Sequence, residues 1–206
     1  MQNRYFFTTM DFDFKHDYIL EDDIVLLRPL QETDLENLLD FSLNETEIWK
    51  YSSLPAMGKE NLQNYIRLAI ENRHKKTEYP FVVFDKRIGE YAGSTRFYDI
   101  QLVNKTLQLG YTWYGKRFHG TGLNKRCKFL LLQFAFEEMG MERVEFRADN
   151  ENTRSIAAMK SIGCKVDGIL RSNMPKLDGG RRDSIVLSIL RAEWFESVKE
   201  NLKHKL

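Results

Sequence analysis

Glycine and basic residues are concentrated in the segment Arg117-Phe118-His119-Gly120-Thr121-Gly122. A strand-like run precedes this segment, and a long apolar, helix-like run, Leu123 to Glu138, follows it. A chain that turns through glycines from a strand into a helix exposes unpaired backbone N–H groups at the positive end of the helix dipole. Lys116, Lys125 and Arg126 add positive charge nearby. The segment is therefore predicted to bind a phosphate group.

Two common nucleotide-binding loops do not fit this spacing. A P-loop needs Gly-Lys-Ser/Thr five positions after its first glycine, but Gly115 is followed there by Gly120-Thr121. A dinucleotide fingerprint needs a third small residue three positions after the second glycine, where this chain has Lys125. The remaining pattern is Arg-x-x-Gly-x-Gly. Taken alone, it also fits a glycine turn flanked by solvated basic residues.

A second polar segment follows a predicted strand, Glu142 to Ala148. Asn152 stands just before a helix-like run in which apolar residues recur at helical spacing from Ile156, and Gly163 ends the run. Asn152 is therefore predicted to be the helix N-cap. Ser155 lies in the first turn of the same helix.

A third segment runs from Gly168 to Trp194. It contains Asp178-Gly179 between two β-rich runs, which predicts a tight hairpin followed by a short charged helix. In this order and spacing, the three segments resemble the GNAT superfamily of acyl-coenzyme-A-dependent N-acyltransferases, in the branch typified by ribosomal-protein N-terminal acetyltransferases (RimJ/RimL-like). The resemblance spans Asp22 to Trp194 and implies an α/β (α+β) fold, with a central mixed, mostly antiparallel sheet flanked by helices.

The resemblance also implies how coenzyme A is held. A strand that splays from its neighbour pairs its backbone with the pantetheine arm and polarises the thioester carbonyl. The glycine loop holds the diphosphate, and the start of the capped helix lies beside the pantetheine. The residues implied as cofactor-binding are Tyr111, Thr112, Trp113, Arg117, Phe118, His119, Gly120, Thr121, Gly122, Leu123, Asn152 and Ser155.

The implied reaction is direct attack of an unprotonated primary amine on the thioester of acetyl-CoA in a ternary complex. Ser155 is the catalytic residue that we expect, because its hydroxyl could assist the leaving thiolate. Gln108 stands where many relatives have Glu, and Met159 stands where other branches have a Tyr acid. The remaining candidates for a general base are carboxylates acting through water: Glu47, Asp99 and Glu145.

The acceptor amine is expected to bind between two segments, Asn44 to Met57 and Ser172 to Arg182. Four side chains are candidates to line that site: Trp49, Tyr51, Tyr98 and Met174. The sequence does not distinguish a protein N-terminus from an amino acid, a polyamine or an antibiotic amine. An alternative interpretation, motivated by Gln108 and Met159, is a coenzyme-A-binding sensor or regulatory domain without turnover.

Periodicity predicts the elements that position these residues, in the order β, α, α, three strands, α, β, α, β, β and a C-terminal helix. The predicted bounds are Ile24 to Pro29, Phe81 to Phe84, Tyr91 to Tyr98 and Leu107 to Tyr114 for the earlier strands, and Asp34 to Phe41 and Gly58 to Lys75 for the first helices.

Length predicts one domain, residues 22–206, after an N-terminal extension, residues 1–21, with Met10 as an alternative start. A net charge of +1, from 31 basic and 30 acidic residues, does not favour nucleic acid or an anionic membrane as partner. No apolar run approaches the ~18 residues of a membrane span. The expected partners are acetyl-CoA and an amine acceptor, and a homodimer is left open.

Cys127 and Cys164 are far apart and lack a Cys-x-x-Cys pattern or paired histidines. We therefore expect free buried thiols, no metal, and a reducing cytoplasmic location.

Overall fold

A computed structural model of the chain describes residues 11–176 and 179–206. Met10 and Asp178, which the sequence singled out, lie outside the described residues. Eight strands form one sheet in the order β1-β2-β3-β4-β5-β6-β8-β7. Among the described strands, β5 and β6 run parallel and the other neighbouring pairs are antiparallel. This confirms the predicted mixed, mostly antiparallel sheet.

The strands are β1 Leu20–Glu21, β2 Val25–Pro29, β3 Glu78–Asp85, β4 Glu90–Gln101, β5 Thr106–Tyr114, β6 Arg143–Asp149, β7 Lys165–Pro175 and β8 Arg181–Leu190. The α-helices are α1 Asp34–Asn44, α2 Lys59–His74, α3 Leu123–Gln133, α4 Thr153–Ser161, α5 Arg191–Glu193 and α6 Lys199–Lys203. Short 3-10 turns occupy Thr46–Trp49 and Lys116–Phe118.

β1 was not predicted, because two residues carry too little periodicity to signal a strand. Leu20 lies opposite Leu27 in the β1–β2 pair. Phe14 is buried, and its carbonyl accepts a 2.7 Å hydrogen bond from Arg73 on α2. Residues 11–21 therefore pack on the same core as the rest of the described chain. The predicted boundary after residue 21 falls between β1 and β2.

Helices cover both faces of the sheet. On the α1–α2 face, Tyr65 of α2 packs against Arg96 of β4, with 4.5 Å between ring centre and guanidinium. On the α3–α4 face, Phe97 of β4 stacks on Phe134 at 6.4 Å. Because successive residues of a strand point to opposite faces, Arg96 and Phe97 fix the orientation of β4.

The predicted helix Leu123 to Glu138 changes its winding. The regular α-helix ends at Gln133, and Phe134–Glu138 forms a π-helical turn in which the N–H of Met139 donates to Phe134 O at 2.9 Å. Phe134, Ala135 and Phe136 are all buried. The wider turn lets consecutive apolar residues contact the core, which a regular helix would direct to different faces.

Cys127 and Cys164 are unpaired and buried, as expected. Burial raises the pKa of each thiol to about 12. None of the helices in the described ranges combines the length and apolarity needed to cross a bilayer.

Candidate active site

The parallel strands β5 and β6 separate partway along their length. They pair at Thr106 with Arg143, at Leu107 with Val144 and at Gln108 with Glu145. β5 then continues to Tyr114 and β6 to Asp149 without further pairing to each other. The separation expected from the resemblance is therefore present. We call this gap the strand opening. It exposes main-chain groups of β5 that an extended ligand can pair with.

A β-bulge lies in β5 at the strand opening. Ser94 pairs with Trp113 and Arg96 with Gly110, so Tyr111 and Thr112 together oppose the one residue between Ser94 and Arg96. Tyr111 has a φ of 48°, in the left-handed region that non-glycine residues rarely adopt. Its carbonyl accepts a 3.2 Å hydrogen bond from the Tyr65 hydroxyl on α2. The bulge thus turns this carbonyl towards the α1–α2 face.

On the α1–α2 face, Arg96 supports the bulge. Its guanidinium lies 4.5 Å from the ring centre of Tyr65 and 4.3 Å from that of Tyr111. Its Nη1 donates to Glu78 at 2.6 Å, and the residue is 1% exposed. Cation–π contact with two rings and one ion pair hold this buried charge in place.

Lys128, from α3, supports the bulge on the opposite face. Its Nζ donates to Thr112 Oγ1 at 2.8 Å, and Thr112 Oγ1 lies 2.7 Å from Thr95 Oγ1. Burial lowers the pKa of Lys128 to about 8. The bulge is therefore fixed from both faces by buried cationic side chains.

The glycine loop leads directly into α3. Gly120 and Gly122 have φ values of 77° and 85°, and a Cβ on either would meet no atom within 4 Å. The space in front of the loop is therefore open. In the described part of the chain, the main-chain N–H groups of Gly120, Thr121, Gly122 and Asn124 donate to no group. Unpaired N–H groups at the start of a helix could hold a phosphate.

Phe118 and His119 shape the loop rather than face the open space. The N–H of Phe118 donates to Gly115 O and that of His119 to Lys116 O, both at 3.0 Å. The Phe118 side chain is buried. Burial lowers the pKa of His119, so the neutral ring donates from Nε2 to Tyr114 O at 2.9 Å. Leu123, the first residue of α3, is also buried.

The basic residues beside the loop differ in their availability. Arg117 forms an ion pair with Glu90, and Arg126 forms one with Asp22 at 2.9 Å. The side chain of Lys125 has no hydrogen-bond or ion-pair partner within residues 11–176 and 179–206. Of the three, Lys125 is the cation most readily available to an anion.

Asn152 caps α4, which confirms its predicted structural role. Its Oδ1 accepts a 3.0 Å hydrogen bond from the N–H of Ser155. Its Nδ2 and the hydroxyl of Ser155 have no partner among the described residues, so both remain available to a ligand. The side chain of Met159, further along α4, is buried in the hydrophobic core.

Tyr98 lies on the α1–α2 face at the strand opening. A Cβ on Gly110 would lie 2.9 Å from its ring, so glycine is needed for this close approach. Burial raises the pKa of Tyr98, which keeps its hydroxyl protonated. Trp49 is 1% exposed and packs on Trp113 at 4.7 Å, so it belongs to the core. Tyr51 and Met174 are partly exposed.

The predicted candidates for a general base all accept hydrogen bonds already. Glu47 pairs with Lys116, whose hydrogen bond lowers the pKa of Glu47. Asp99 accepts from Gln108 Nε2 at 2.8 Å. Glu145 accepts from Arg147 at 2.7 Å and from Arg143 at 3.0 Å. The site is therefore better equipped to position and polarise reactants than to remove a proton with a strong base. Within the described residues, no group of three or more His, Cys, Asp or Glu could hold a metal ion.

Sequence reasoning missed Tyr65, Arg96 and Lys128. Two of them carry a detectable signal. Arg96 is a charge inside a predicted strand, and Lys128 lies within the apolar helix that follows the glycine loop. Charges at such positions are rarely buried unless they are paired.

A family model described as Acetyltransferase (GNAT) domain matches residues 25–165. The chain is 25% identical over 181 residues to "Probable N-acetyltransferase YjcK" of Bacillus subtilis (strain 168), covering 85% of this chain and 98% of that protein. A GCN5-related N-acetyltransferase from Brucella melitensis has a similar structure, with a TM-score of 0.83, 24% identity and coverage of 92% and 85%. Mycobacterium smegmatis RimJ, solved with CoA-disulfide, has a TM-score of 0.77, 19% identity and coverage of 92% and 93%.

Proposed function

Since the chain belongs to the GNAT family of acetyltransferases, we propose that it transfers an acetyl group from acetyl-CoA to a primary amine. The observation that carries the proposal is the combination of a strand opening beside a bulge with unpaired N–H groups at the start of α3. One feature suits an extended amide-containing arm, and the other suits a diphosphate.

We assign the proposed coenzyme contacts to hydrogen-bonding groups that have no partner among the described residues. The N–H groups of Gly120, Thr121, Gly122 and Asn124 would hold the diphosphate, with Lys125 as the nearby cation. The backbone from Tyr111 to Trp113 would pair with the pantetheine arm. Asn152 Nδ2 and Ser155 Oγ would contact it from α4. Phe118, His119 and Leu123 would act by shaping the loop, and Arg117 by its pairing with Glu90.

For catalysis, we propose that the bulge aligns main-chain N–H groups with the oxygen that becomes negative during attack. The amine nitrogen forms a bond to the carbonyl carbon, the carbon–sulfur bond breaks, and the thiol leaves as thiolate. Ser155 would donate a hydrogen bond to that sulfur. The amine gives up its proton to water, since Glu47, Asp99 and Glu145 are already hydrogen-bonded.

We also propose the cytoplasm as the compartment, on the basis of two unpaired cysteines. The amine acceptor would approach from the α1–α2 face, where Tyr98 borders the strand opening.

Calorimetric titration with acetyl-CoA, followed by thiol release across a panel of amines, tests the proposal. We expect one-to-one binding and amine-dependent release. Binding without release for any amine would instead support the sensor interpretation, and absence of binding would contradict both.

A further inference from the structure

Arg182, on β8, is a buried arginine without an ion-pair partner among the described residues. It is 9% exposed, and its Nε donates to Ser184 Oγ at 3.1 Å. Its two terminal nitrogens make no hydrogen bond within residues 11–176 and 179–206, and they are not fully shielded from solvent. A buried guanidinium whose two terminal nitrogens keep their N–H donors free is costly unless an anion pairs with it.

The sheet register places Arg182 on the α1–α2 face. Glu145 pairs with Ser188 and Asp149 with Ser184, and alternate residues of β8 share a face. Arg182 therefore lies on the same face as Glu145, which itself pairs with Gln108 at the start of the strand opening. Burial raises the pKa of Tyr98, and the charges of Arg147 and Arg182 act against that rise, so the Arg182 guanidinium lies within electrostatic range of the Tyr98 hydroxyl.

The other arginines of this face are already occupied. Arg96 pairs with Glu78, and its unpaired nitrogens are fully shielded, so no ligand can reach them. Arg147 donates to Glu145 at 2.7 Å. Within the described ranges, Arg182 is thus the cation of this face that combines burial, free donors and solvent contact.

The carboxylates near the strand opening already accept hydrogen bonds. Glu145 is held by Arg143 and Arg147, and Asp99 by Gln108. Asp149, one strand from Arg182, accepts from the N–H of Glu151 at 2.9 Å. Glu145 and Asp99 are thus engaged by side chains, Asp149 has no ion-pair partner among the described residues, and a second ammonium group on an acceptor would be repelled by Arg182. This arrangement disfavours a polyamine.

We propose that the acceptor carries a carboxylate close to its reactive amine, and that the free donors of Arg182 bind this carboxylate while the amine lies at the strand opening. Guanidinium is suited to this role because its planar fork binds both oxygens of a carboxylate. The inference rests on the proposed acetyl transfer and names its substrate class. The carboxylate comes either from a free amino acid or from an acidic side chain next to a peptide N-terminus.

The test compares matched pairs of acceptors with the wild-type protein and measures the release of thiol from acetyl-CoA. One pair is an amino acid and its C-terminal amide. Another is a short peptide with Asp at the second position and the same peptide with Asn. We expect kcat/KM to favour the carboxylate member by about tenfold or more in at least one pair. If only the amino-acid pair shows the preference, the acceptor is a free amino acid. If only the peptide pair shows it, the acceptor is a peptide N-terminus. Spermidine serves as the polycationic comparison.

Arg182→Gln should reduce the preference within the responding pair to about twofold or less, mainly through a higher KM for the carboxylate member. Arg182→Lys keeps the charge but loses the fork, and it should retain part of the preference. Arg67→Gln on α2 removes the same charge from an exposed position, and it should leave the preference unchanged. Circular dichroism checks that each variant is folded.

The outcomes separate the two proposals. Thiol release at equal rates for both members of every pair, or fastest release with spermidine, overturns the carboxylate inference alone. A preference that survives in Arg182→Gln overturns it as well. Absence of release with every amine overturns the proposed acetyl transfer and, with it, the acceptor class.

Discussion

At the residue scale, Gly122 illustrates how a single backbone angle serves a site. With φ at 85°, a side chain there would strain the backbone, and it would also project into the open space before α3. Strain and obstruction can be separated because Gly89 offers a matched position. Gly89 also has positive φ, at 68°, and open surroundings, but it lies in the β3–β4 turn.

We expect Gly122→Val and Gly89→Val each to lose about 1–2 kcal/mol of unfolding free energy through backbone strain. Only Gly122→Val should also weaken acetyl-CoA binding, by about tenfold or more, because its methyl groups block the approach to the N–H groups. Thermal unfolding and calorimetric titration of both variants measure these effects. Unchanged affinity in folded Gly122→Val would contradict the proposed diphosphate position.

Asn152 combines a structural and a proposed ligand role that two substitutions distinguish. Asn152→Ala removes the cap and should cost about 1 kcal/mol of stability. Asn152→Asp keeps a capping oxygen for the Ser155 N–H but lacks the Nδ2 donor. We expect both variants to raise the KM for acetyl-CoA, with only Asn152→Ala losing stability. An unchanged KM for acetyl-CoA in Asn152→Asp would show that Asn152 caps the helix but does not contact the coenzyme.

Residue types predicted this cap and the glycine loop because both depend on local chain geometry. The roles of Arg96 and Lys128 could not be predicted in the same way. Their partners come from α2, β3 and β5, which are distant in sequence, and burial without a full set of ion pairs is unusual for charged residues. Nor does sequence show that the Phe118 side chain is buried while the N–H groups from Gly120 to Gly122 stay unpaired.

At the scale of elements, the β5 bulge depends on contacts from both faces. The Tyr65 hydroxyl holds the Tyr111 carbonyl from α2, and Lys128 holds Thr112 from α3. A residue at φ 48° persists only where its surroundings enforce that conformation. Each support therefore predicts a different measurable effect.

Tyr65→Phe removes the hydrogen bond to Tyr111 but keeps the ring on Arg96. We expect a loss of about 1 kcal/mol of stability and a fall in kcat of about tenfold, with little change in the KM for acetyl-CoA. Tyr91→Phe is the control, because it removes a hydroxyl that accepts from Arg28 at 2.8 Å, away from the strand opening. Equal kcat for the two variants would argue against a role for the Tyr65 hydrogen bond.

Lys128 should make stability depend on pH. Burial lowers its pKa from 10.5 to about 8 in the folded chain. Between these values the unfolded chain binds more protons, so stability rises with pH across this window. Relative to Lys128→Met, wild-type stability should increase by about 3 kcal/mol from pH 7.5 to pH 10.5. Urea unfolding of both proteins at a series of pH values measures the difference in their free energies of unfolding. The contributions of the other titrating groups cancel in this difference. A flat difference would show that the lysine is not desolvated as described.

Element positions were predicted well where periodicity was long, as for α2, and poorly where packing decides the winding. The π-helical turn Phe134–Glu138 exists because three consecutive apolar residues contact the core. Sequence periodicity gives the same signal for a regular helix. β1 is similarly defined by its partner β2 rather than by its own two residues.

At the scale of the whole molecule, the same sheet forms the core and provides the strand opening. β1 to β5 and the pair β8–β7 form antiparallel ladders, whereas the parallel contact between β5 and β6 ends at Gln108 and Glu145. The resemblance supplied the mixed, mostly antiparallel sheet and the separation. The orientation of Arg182 required the register of β6 against β8, which a sequence without coordinates does not contain.

The burial of both sulfur atoms has a practical consequence for colorimetry. Because burial raises the pKa values of Cys127 and Cys164 to about 12, almost none of either thiol is ionised at neutral pH. An aromatic disulfide reagent should therefore react, and develop colour, only with the coenzyme A that the reaction releases. In strong denaturant the same reagent should titrate 2 equivalents per chain. The same reagent therefore measures released coenzyme A under native conditions and unfolded protein under denaturing conditions. A rapid release of chromophore from the native enzyme without substrates would show that a cysteine is accessible.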